Sequence, residues 1–275
     1  MTEYTGHLHK MHTQLVEGQA QYALNLDGQT LAVHECIGRT IQIEFLEEIH
    51  CVACGRLTKK SFQNGYCFPC TQRLAQCDLC IVKPERCHYH LGTCREPEWG
   101  DQHCMQAHYV YLANSSGIKV GITRGSNIPH RWIDQGASQA LPIAQVATRR
   151  VSGLLEVALA QHVNDKTNWR KMLKGNPDPV DLPALREELL AQVRAEIATI
   201  QQDHGEEALI LLPDEAVVDI TYPVTQYLEK ITSMNLDKTP TFSGRLLGIK
   251  GQYLIFDCGV MNVRKFAGYH VRLSA

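Results

Sequence analysis

Cysteine spacing is the feature that most constrains how this chain folds. Nine of its eleven cysteines fall between Cys51 and Cys104. Cys51 and Cys54 form one C-x-x-C pair, and Cys67 and Cys70 form a second pair that begins after twelve intervening residues. Each such pair turns the backbone so that both thiolates reach one ion, and two pairs complete a tetrahedral shell. The spacing therefore predicts a closed, structural zinc site in a zinc-ribbon-like region.

A second structural zinc site is predicted directly after the first, with its ligand set left open. Cys77 and Cys80 supply another C-x-x-C pair, and we expect two cysteines of the following segment to complete the shell. The candidates are Cys87, Cys94 and Cys104, with His88, His90, His103 and His108 as further donors. Free buried thiols are the alternative interpretation of both sites.

The compartment follows from the same cysteines. Clustered C-x-x-C pairs in a chain of 275 residues indicate metal binding, because disulfide frameworks are typical of small secreted domains. Residues 1–7 lack the basic flank and apolar core of a secretory signal. No apolar run approaches the roughly 18 residues of a membrane helix. We therefore expect a cytoplasmic protein without a membrane partner.

Hydrophobic periodicity predicts an α+β fold with five regions. These are a small β module (1–50), the zinc-binding region (51–107), an α/β core (108–176), an acidic amphipathic helix with its linker (177–215) and a C-terminal β module (216–275). The core is predicted to contain strands at 109–113, 118–123 and 145–148, a helix opened by Pro129 and a helix capped by Ser152. A weak repeat at one constant offset links the two β modules, with Ile43 equivalent to Leu273. Chance similarity of short strands is the alternative.

Charge is segregated along the chain, although the formal net charge is only −2. Residues 108–176 hold nine Lys/Arg against three Asp/Glu, whereas residues 177–229 hold two against twelve. Residues 230–275 hold seven against two. This pattern indicates an anion-attracting face, with ordinary solvated charge as the alternative. The acidic face of the helix predicted at 181–202 indicates a helix that packs on the protein or binds a protein partner, rather than one that contacts nucleic acid.

Three residues of the core carry the main hypothesis about chemistry. The two predicted strands project Tyr111 towards the helix that bears Arg131, and Glu156 is the one acid in its helical segment. Phosphodiester cleavage needs a carboxylate for a divalent metal, a cation for the phosphoryl oxygens and a group that starts the attack. A structural ion pair between Arg131 and Glu156, beside an ordinary strand tyrosine, is the alternative.

The core resembles the GIY-YIG nuclease superfamily. Its Tyr-Val-Tyr triplet at 109–111 and Lys-Val-Gly triplet at 119–121 stand where that superfamily has GIY and YIG. The resemblance implies that Tyr111 is a base or orients water, that Arg131 contacts phosphate and that Glu156 holds magnesium. Lys119 replaces the tyrosine of YIG, and Asn164 or Asn168 corresponds to a late asparagine.

Over its whole length the chain is similar to a bacterial family catalogued as domain of unknown function 2797. The stretches that carry the likeness are 92–97, 119–124, 131–137 and 167–170. This likeness implies no activity. Three functions therefore stay open: a divalent-metal-dependent nuclease, a non-catalytic DNA- or RNA-binding module, and a protein adaptor that uses residues 181–202. The nucleic-acid contacts predicted for the first two are Lys119, Arg124, Arg149 and Arg150.

Overall fold

A computed structural model describes residues 2–163 and 168–275, which form a mixed α/β fold with several antiparallel sheets. The strands are β1 (Glu3–His7), β2 (His12–Val16), β3 (Gln19–Leu26), β4 (Gln29–Leu31), β5 (Thr40–Ile49), β6 (His108–Asn114), β7 (Ile118–Arg124), β8 (Gln139–Val146), β9 (Leu209–Leu211), β10 (Val218–Asp219), β11 (Thr241–Lys250), β12 (Tyr253–Phe256), β13 (Gly259–Asn262) and β14 (Tyr269–Ser274). The helices are α1 (Phe68–Arg73), α2 (Pro97–His103), α3 (His130–Asp134), α4 (Arg149–Ala160), α5 (Trp169–Met172), α6 (Leu182–Gln192) and α7 (Arg194–His204).

The two ends of the chain share one six-stranded sheet. Its strand order is β1-β14-β5-β11-β12-β13, so the N-terminal strands β1 and β5 alternate with the C-terminal strands β14 and β11 in one half of it. The antiparallel pairing of β5 with β14 places Ile43 opposite Leu273, the two residues that the sequence repeat makes equivalent. Strands β5 and β14 each follow a 3-10 helix, and the glycine between helix and strand has a positive φ in both cases (87° at Gly38, 85° at Gly268). The N-terminal and C-terminal segments thus complete one sheet between them, and the same order of 3-10 helix, glycine and strand occurs in both.

A second sheet forms the α/β core, with strand order β10-β8-β6-β7 and β9 beside β8. Helices α4, α6 and α7 cover it, and the apolar side chains of Val110, Leu155 and Leu189 belong to one buried cluster between them. Burying such side chains removes apolar surface from water and stabilises each by about 1.5–3 kcal/mol. This sheet positions the side chains that were predicted to act on phosphate.

Two local predictions within the core are wrong. The third strand was predicted at 145–148, but β8 runs from Gln139 to Val146. Pro142 lacks an N–H, and β8 accommodates it beside an irregularity in its register with β6. The predicted cap Ser152 lies inside α4, where its hydroxyl donates to the carbonyl of Arg149. Thr148 is the cap, because its side chain accepts the N–H of Val151.

The predicted helix at 181–202 is two helices, α6 and α7. The break is at Val193, whose φ of −105° and ψ of 21° leave the helical region. The predicted apolar stripe is nevertheless buried on both sides of the break, as Leu182, Val193 and Ile200 illustrate. Asp181 caps α6 by accepting the N–H of Ala184. The apolar pattern continues across the break because Val193 itself is fully buried, so the apolar side chains of both helices face the same core.

The cysteine-rich region consists of α1, α2 and short 3-10 helices, and it packs directly against α4. The contact occurs at Gly153, where a Cβ would lie 2.3 Å from the backbone nitrogen of Glu85 and 2.6 Å from the carbonyl carbon of Pro84. Only a glycine permits this approach of helix and turn. None of the helices in the described ranges combines the length and apolarity that a membrane span requires.

Candidate functional site

The four cysteines of the first predicted site lie together. One sulfur from each of Cys51, Cys54, Cys67 and Cys70 lies within 4.8 Å of the others, and the Sγ atoms of Cys54 and Cys67 are 3.8 Å apart. A tetrahedral shell with Zn–S bonds of about 2.3 Å has sulfur–sulfur separations of about 3.8 Å. The predicted cluster is confirmed, and its donor set and spacing fit a metal such as zinc.

Local backbone geometry presents these thiols. Gly55, with φ of 68°, reverses the chain directly after the first pair. Cys67 occupies the N-cap of α1 and Pro69 lies in the first turn, so that Cys67 and Cys70 point to the same side. The backbone N–H of Arg56 lowers the pKa of the Cys54 thiol to about 6, with a smaller opposing effect of desolvation. Cys54 is thus a thiolate, the form that binds metal, at neutral pH, whereas burial raises the pKa of the Cys70 thiol to about 12.

Most candidate donors of the second predicted site lie around a separate cavity. Cys80, Cys87, Cys94 and Cys104 line it, whereas Cys77 does not. His90 is exposed. Nδ1 of His103 forms a hydrogen bond with the backbone carbonyl of Trp99. His108 is fully buried with Nδ1 bonded to the carbonyl of Gln106, and burial lowers its pKa to about 4.

Tyr111 lies in β6 with its ring completely buried across Gly121 of β7. A Cβ at Gly121 would lie 2.6 Å from the Tyr111 hydroxyl, which explains the glycine at this position. The hydroxyl donates to Oε1 of Gln135 at 2.9 Å. Burial raises the pKa of Tyr111 to about 12, and the nearby guanidinium of Arg131 only partly offsets this. Tyr111 is therefore a neutral phenol at physiological pH.

Arg131 and Glu156 face a cleft between α4 and the cysteine-rich region, with a volume of about 560 Å³. Tyr111 does not line this cleft. Four guanidinium groups line this cleft with the single carboxylate of Glu156; they belong to Arg124, Arg131, Arg149 and Arg264. Among the described residues that line it, positive charge therefore exceeds negative charge by three. We call this space the arginine cleft.

Two of the four predicted nucleic-acid contacts lie in the arginine cleft. Arg124 extends from the end of β7, and Arg149 from the start of α4. Arg149 also donates from Nη2 to the carbonyl of Ile81 at 2.6 Å, which ties the core to the cysteine-rich region. Lys119 is only 6% exposed in β7, and neither it nor Arg150 lines the cleft.

Sequence reasoning missed several residues of the cleft. Arg264 comes from the 3-10 helix Val263–Phe266, far along the chain. Trp99 and His103, on α2, also line the cleft and stack with ring centroids 4.2 Å apart and planes at 5°. Only long-range packing brings these side chains together. The positive charge of residues 230–275 was an indirect signal that this segment contributes to an anion-attracting surface. Asn168 caps α5, and Asn164 lies outside the described residues.

Comparison with known proteins gives one match. Residues 38–271 match the family described as "Protein of unknown function (DUF2797)". The match runs from the turn before β5 into β14, so it includes the cysteine cluster, the core and the arginine cleft. It confirms the similarity predicted from the sequence. Neither a curated protein nor a solved structure matches the chain.

Proposed function

The chain belongs to this family of unknown function, and we propose from its own residues that it is a zinc protein that binds nucleic acid. The cluster of Cys51, Cys54, Cys67 and Cys70 holds a structural zinc ion, since four thiolates close the shell. The arginine cleft binds the phosphate backbone. The observation that carries this proposal is the convergence of four guanidinium groups on one cleft from separate parts of the chain.

The chemistry of the cleft favours phosphate. A guanidinium presents a planar fork of N–H donors that matches two phosphate oxygens. Arg124, Arg131 and Arg149 are partly buried, so their charges act with less screening than those of surface side chains. The arginine cleft, with its volume of about 560 Å³, has the size of a ligand pocket.

The stacked pair of Trp99 and His103 favours a nucleic acid over a simple inorganic anion. The pair is flat, lies on the wall of the arginine cleft and is partly exposed. Bases stack on such aromatic surfaces with a gain of about 1–3 kcal/mol each, largely without regard to sequence. The cleft thus offers guanidinium groups for the backbone and an aromatic surface for a base.

Cleavage of the bound phosphodiester is the second candidate function. It is favoured by the presence of Arg131 and Glu156 on the same cleft, as the GIY-YIG resemblance requires. Magnesium is usually held by one or two carboxylates together with water and substrate phosphate, so the single carboxylate of Glu156 fits such an ion. A bound magnesium ion would supply charge stabilisation at the phosphoryl group. Arg131 would hold a phosphoryl oxygen, and buried Tyr111 would position Arg131 and Gln135 rather than take a proton.

Glu156→Gln is expected to separate the two functions. Purified zinc-loaded protein is incubated with labelled single- and double-stranded DNA and RNA, with magnesium or manganese, and products are resolved by electrophoresis. If the chain is a nuclease, the parent cleaves one substrate and Glu156→Gln loses about 100-fold or more in rate while it still binds. The matched control is Glu187→Gln, an exposed acid on α6.

The outcomes of this experiment are distinct. Retention of one nucleic acid without cleavage by any preparation supports the binding module alone. Equal cleavage by the parent and Glu156→Gln contradicts the assignment of Glu156. If no nucleic acid is bound or cleaved, the proposal fails, and a protein partner for α6 and α7 takes its place.

A further inference from the structure

A second set of four cysteines lines one small cavity in the cysteine-rich region. Cys80, Cys87, Cys94 and Cys104 all line this cavity, whose volume is about 10 Å³. That is roughly the room that one water-sized particle occupies. The four residues come from four different turns: the 3-10 helix Leu79–Ile81, the end of the 3-10 helix Pro84–Arg86, the loop before α2, and the end of α2.

The turns around this cavity have no apolar core of their own. The buried apolar clusters of the described residues include none of these four cysteines and no side chain between 79 and 104. Leu79, Val82 and Leu91 are instead exposed. Short 3-10 helices do not persist without tertiary support, so interactions other than an apolar core must hold them around the cavity.

The thiols interact with one another across the cavity. The side chains of Cys80 and Cys87 lie close enough to interact, and the thiol of Cys104 lies near those of Cys87 and Cys94. From this arrangement we infer that Cys80, Cys87, Cys94 and Cys104 bind a second structural zinc ion. Four S–H protons leave to solvent as Zn²⁺ binds, and no oxidant or reductant is needed. The inference does not depend on whether the arginine cleft binds nucleic acid.

Other donors near the cavity are already engaged. Asp78, Cys80 and His88 each place one donor atom within 4.8 Å of the others, a closer grouping than the four cysteine sulfurs have. However, the carboxylate of Asp78 is paired with Arg95 at 2.6 Å, and it lies 3.6 Å from Nε2 of His88. Nδ1 of His88 bonds the hydroxyl of Thr93 at 2.7 Å. Both nitrogens of His88 therefore have protein partners, and sulfur is the donor left for an ion.

Cys77 distinguishes this assignment from a simple C-x-x-C pair. Although it is buried and precedes Cys80 by three residues, it does not line the cavity. Its electrostatic neighbours include Cys51, Cys67 and Arg95 instead. The second ion is therefore bound by one cysteine from each of four turns, and Cys77 is not one of its ligands. The positive charges of Arg149 and Arg124 lie near Cys104 and compensate the excess negative charge of a four-thiolate shell.

The test is the zinc content and ligand shell of the full chain. Zinc per chain is measured by elemental analysis after gel filtration, and X-ray absorption gives the average ligand shell. We expect two zinc ions per chain and sulfur alone in the shell, at about 2.3 Å. One zinc ion per chain, or a shell that includes nitrogen or oxygen, overturns the inference without any variant being made.

Three variants then assign the ligands. Cys87→Ser and Cys104→Ser are expected to lower the zinc content from two ions to one, while Cys77→Ser keeps two. Loss of the second ion in Cys77→Ser, or two ions in both of the other variants, contradicts the ligand set. Variants that are insoluble when expressed are refolded with cobalt, whose visible absorption reports the number of tetrahedral thiolate sites, and the same counts are expected.

Discussion

Cys67→Ser is expected to lose the zinc ion of the first cluster and to unfold the cysteine-rich region. The only apolar cluster around this site within the described residues consists of three of its cysteines with Tyr66 and Leu74 at the margin. Structural zinc contributes about 10–16 kcal/mol of apparent binding energy, comparable with the whole stability of a domain. We expect a melting temperature lower by about 10 °C or more, or insoluble protein. Calorimetry and elemental analysis measure the two effects.

Cys258→Ser is the matched control, because Cys258 is an exposed cysteine outside this region. It should keep the parent's zinc content and melting curve. Chelation of the parent should reproduce the effect of Cys67→Ser, since both remove the same ion. A soluble Cys67→Ser protein with unchanged zinc and an unchanged melting curve would show that the thiols do not hold a structural metal.

Gly153→Ala is expected to destabilise the protein, although alanine has a higher helix propensity than glycine. In an unconstrained helix interior this change stabilises by about 1 kcal/mol. Here the new methyl group would lie 2.3 Å from the backbone nitrogen of Glu85, and backbone cannot rotate away as a side chain can. Separating α4 from this turn should cost about 3 kcal/mol, measured by urea unfolding. It should also weaken nucleic-acid binding, because Arg149 and Ile81 lie on opposite sides of the same contact.

Gly175→Ala serves as the comparison for this variant. A Cβ at Gly175 meets no atom within 4 Å, and the residue is not held in a left-handed conformation. Its free energy of unfolding should stay within about 0.5 kcal/mol of the parent's. If Gly153→Ala unfolds at the same or a higher urea concentration, α4 does not pack on the cysteine-rich region as described.

Local signals in the sequence predicted local structure well. The spacing of Cys51, Cys54, Cys67 and Cys70 identified the first cluster because ligand spacing is a property of short turns. Asp27-Gly28 is a typical hairpin-turn sequence, and it joins β3 to β4 with both residues at the positive φ that such a turn requires. The apolar stripe of α6 and α7 was identified, although nothing in its periodicity marked the break at Val193.

Long-range packing is what the sequence did not reveal. The C-x-x-C spacing favoured Cys77 as a ligand, but Cys77 lies off the second cavity because the turns between 79 and 104 bring other cysteines inward. Arg264 reaches the arginine cleft from the terminal sheet, and no local pattern distinguishes it from other surface arginines. The burial of Tyr111 and Lys119 was also missed, because a strand with both faces covered shows no alternation. The GIY-YIG resemblance and the five domain boundaries stay predictions.

The dependence of nucleic-acid affinity on salt tests the proposed function most directly. Each phosphate contact displaces counterions, so log K falls with log salt concentration by about 0.9 per contact on duplex DNA and about 0.7 on single strands. The measurement compares the parent with Arg131→Gln, Arg124→Gln and Lys238→Gln, the last an exposed lysine away from the cleft. We expect a steep slope for the parent, a slope shallower by about one contact in each arginine variant, and no change for Lys238→Gln. A parent that binds no nucleic acid, or arginine variants that keep the parent's affinity and slope, would contradict the account.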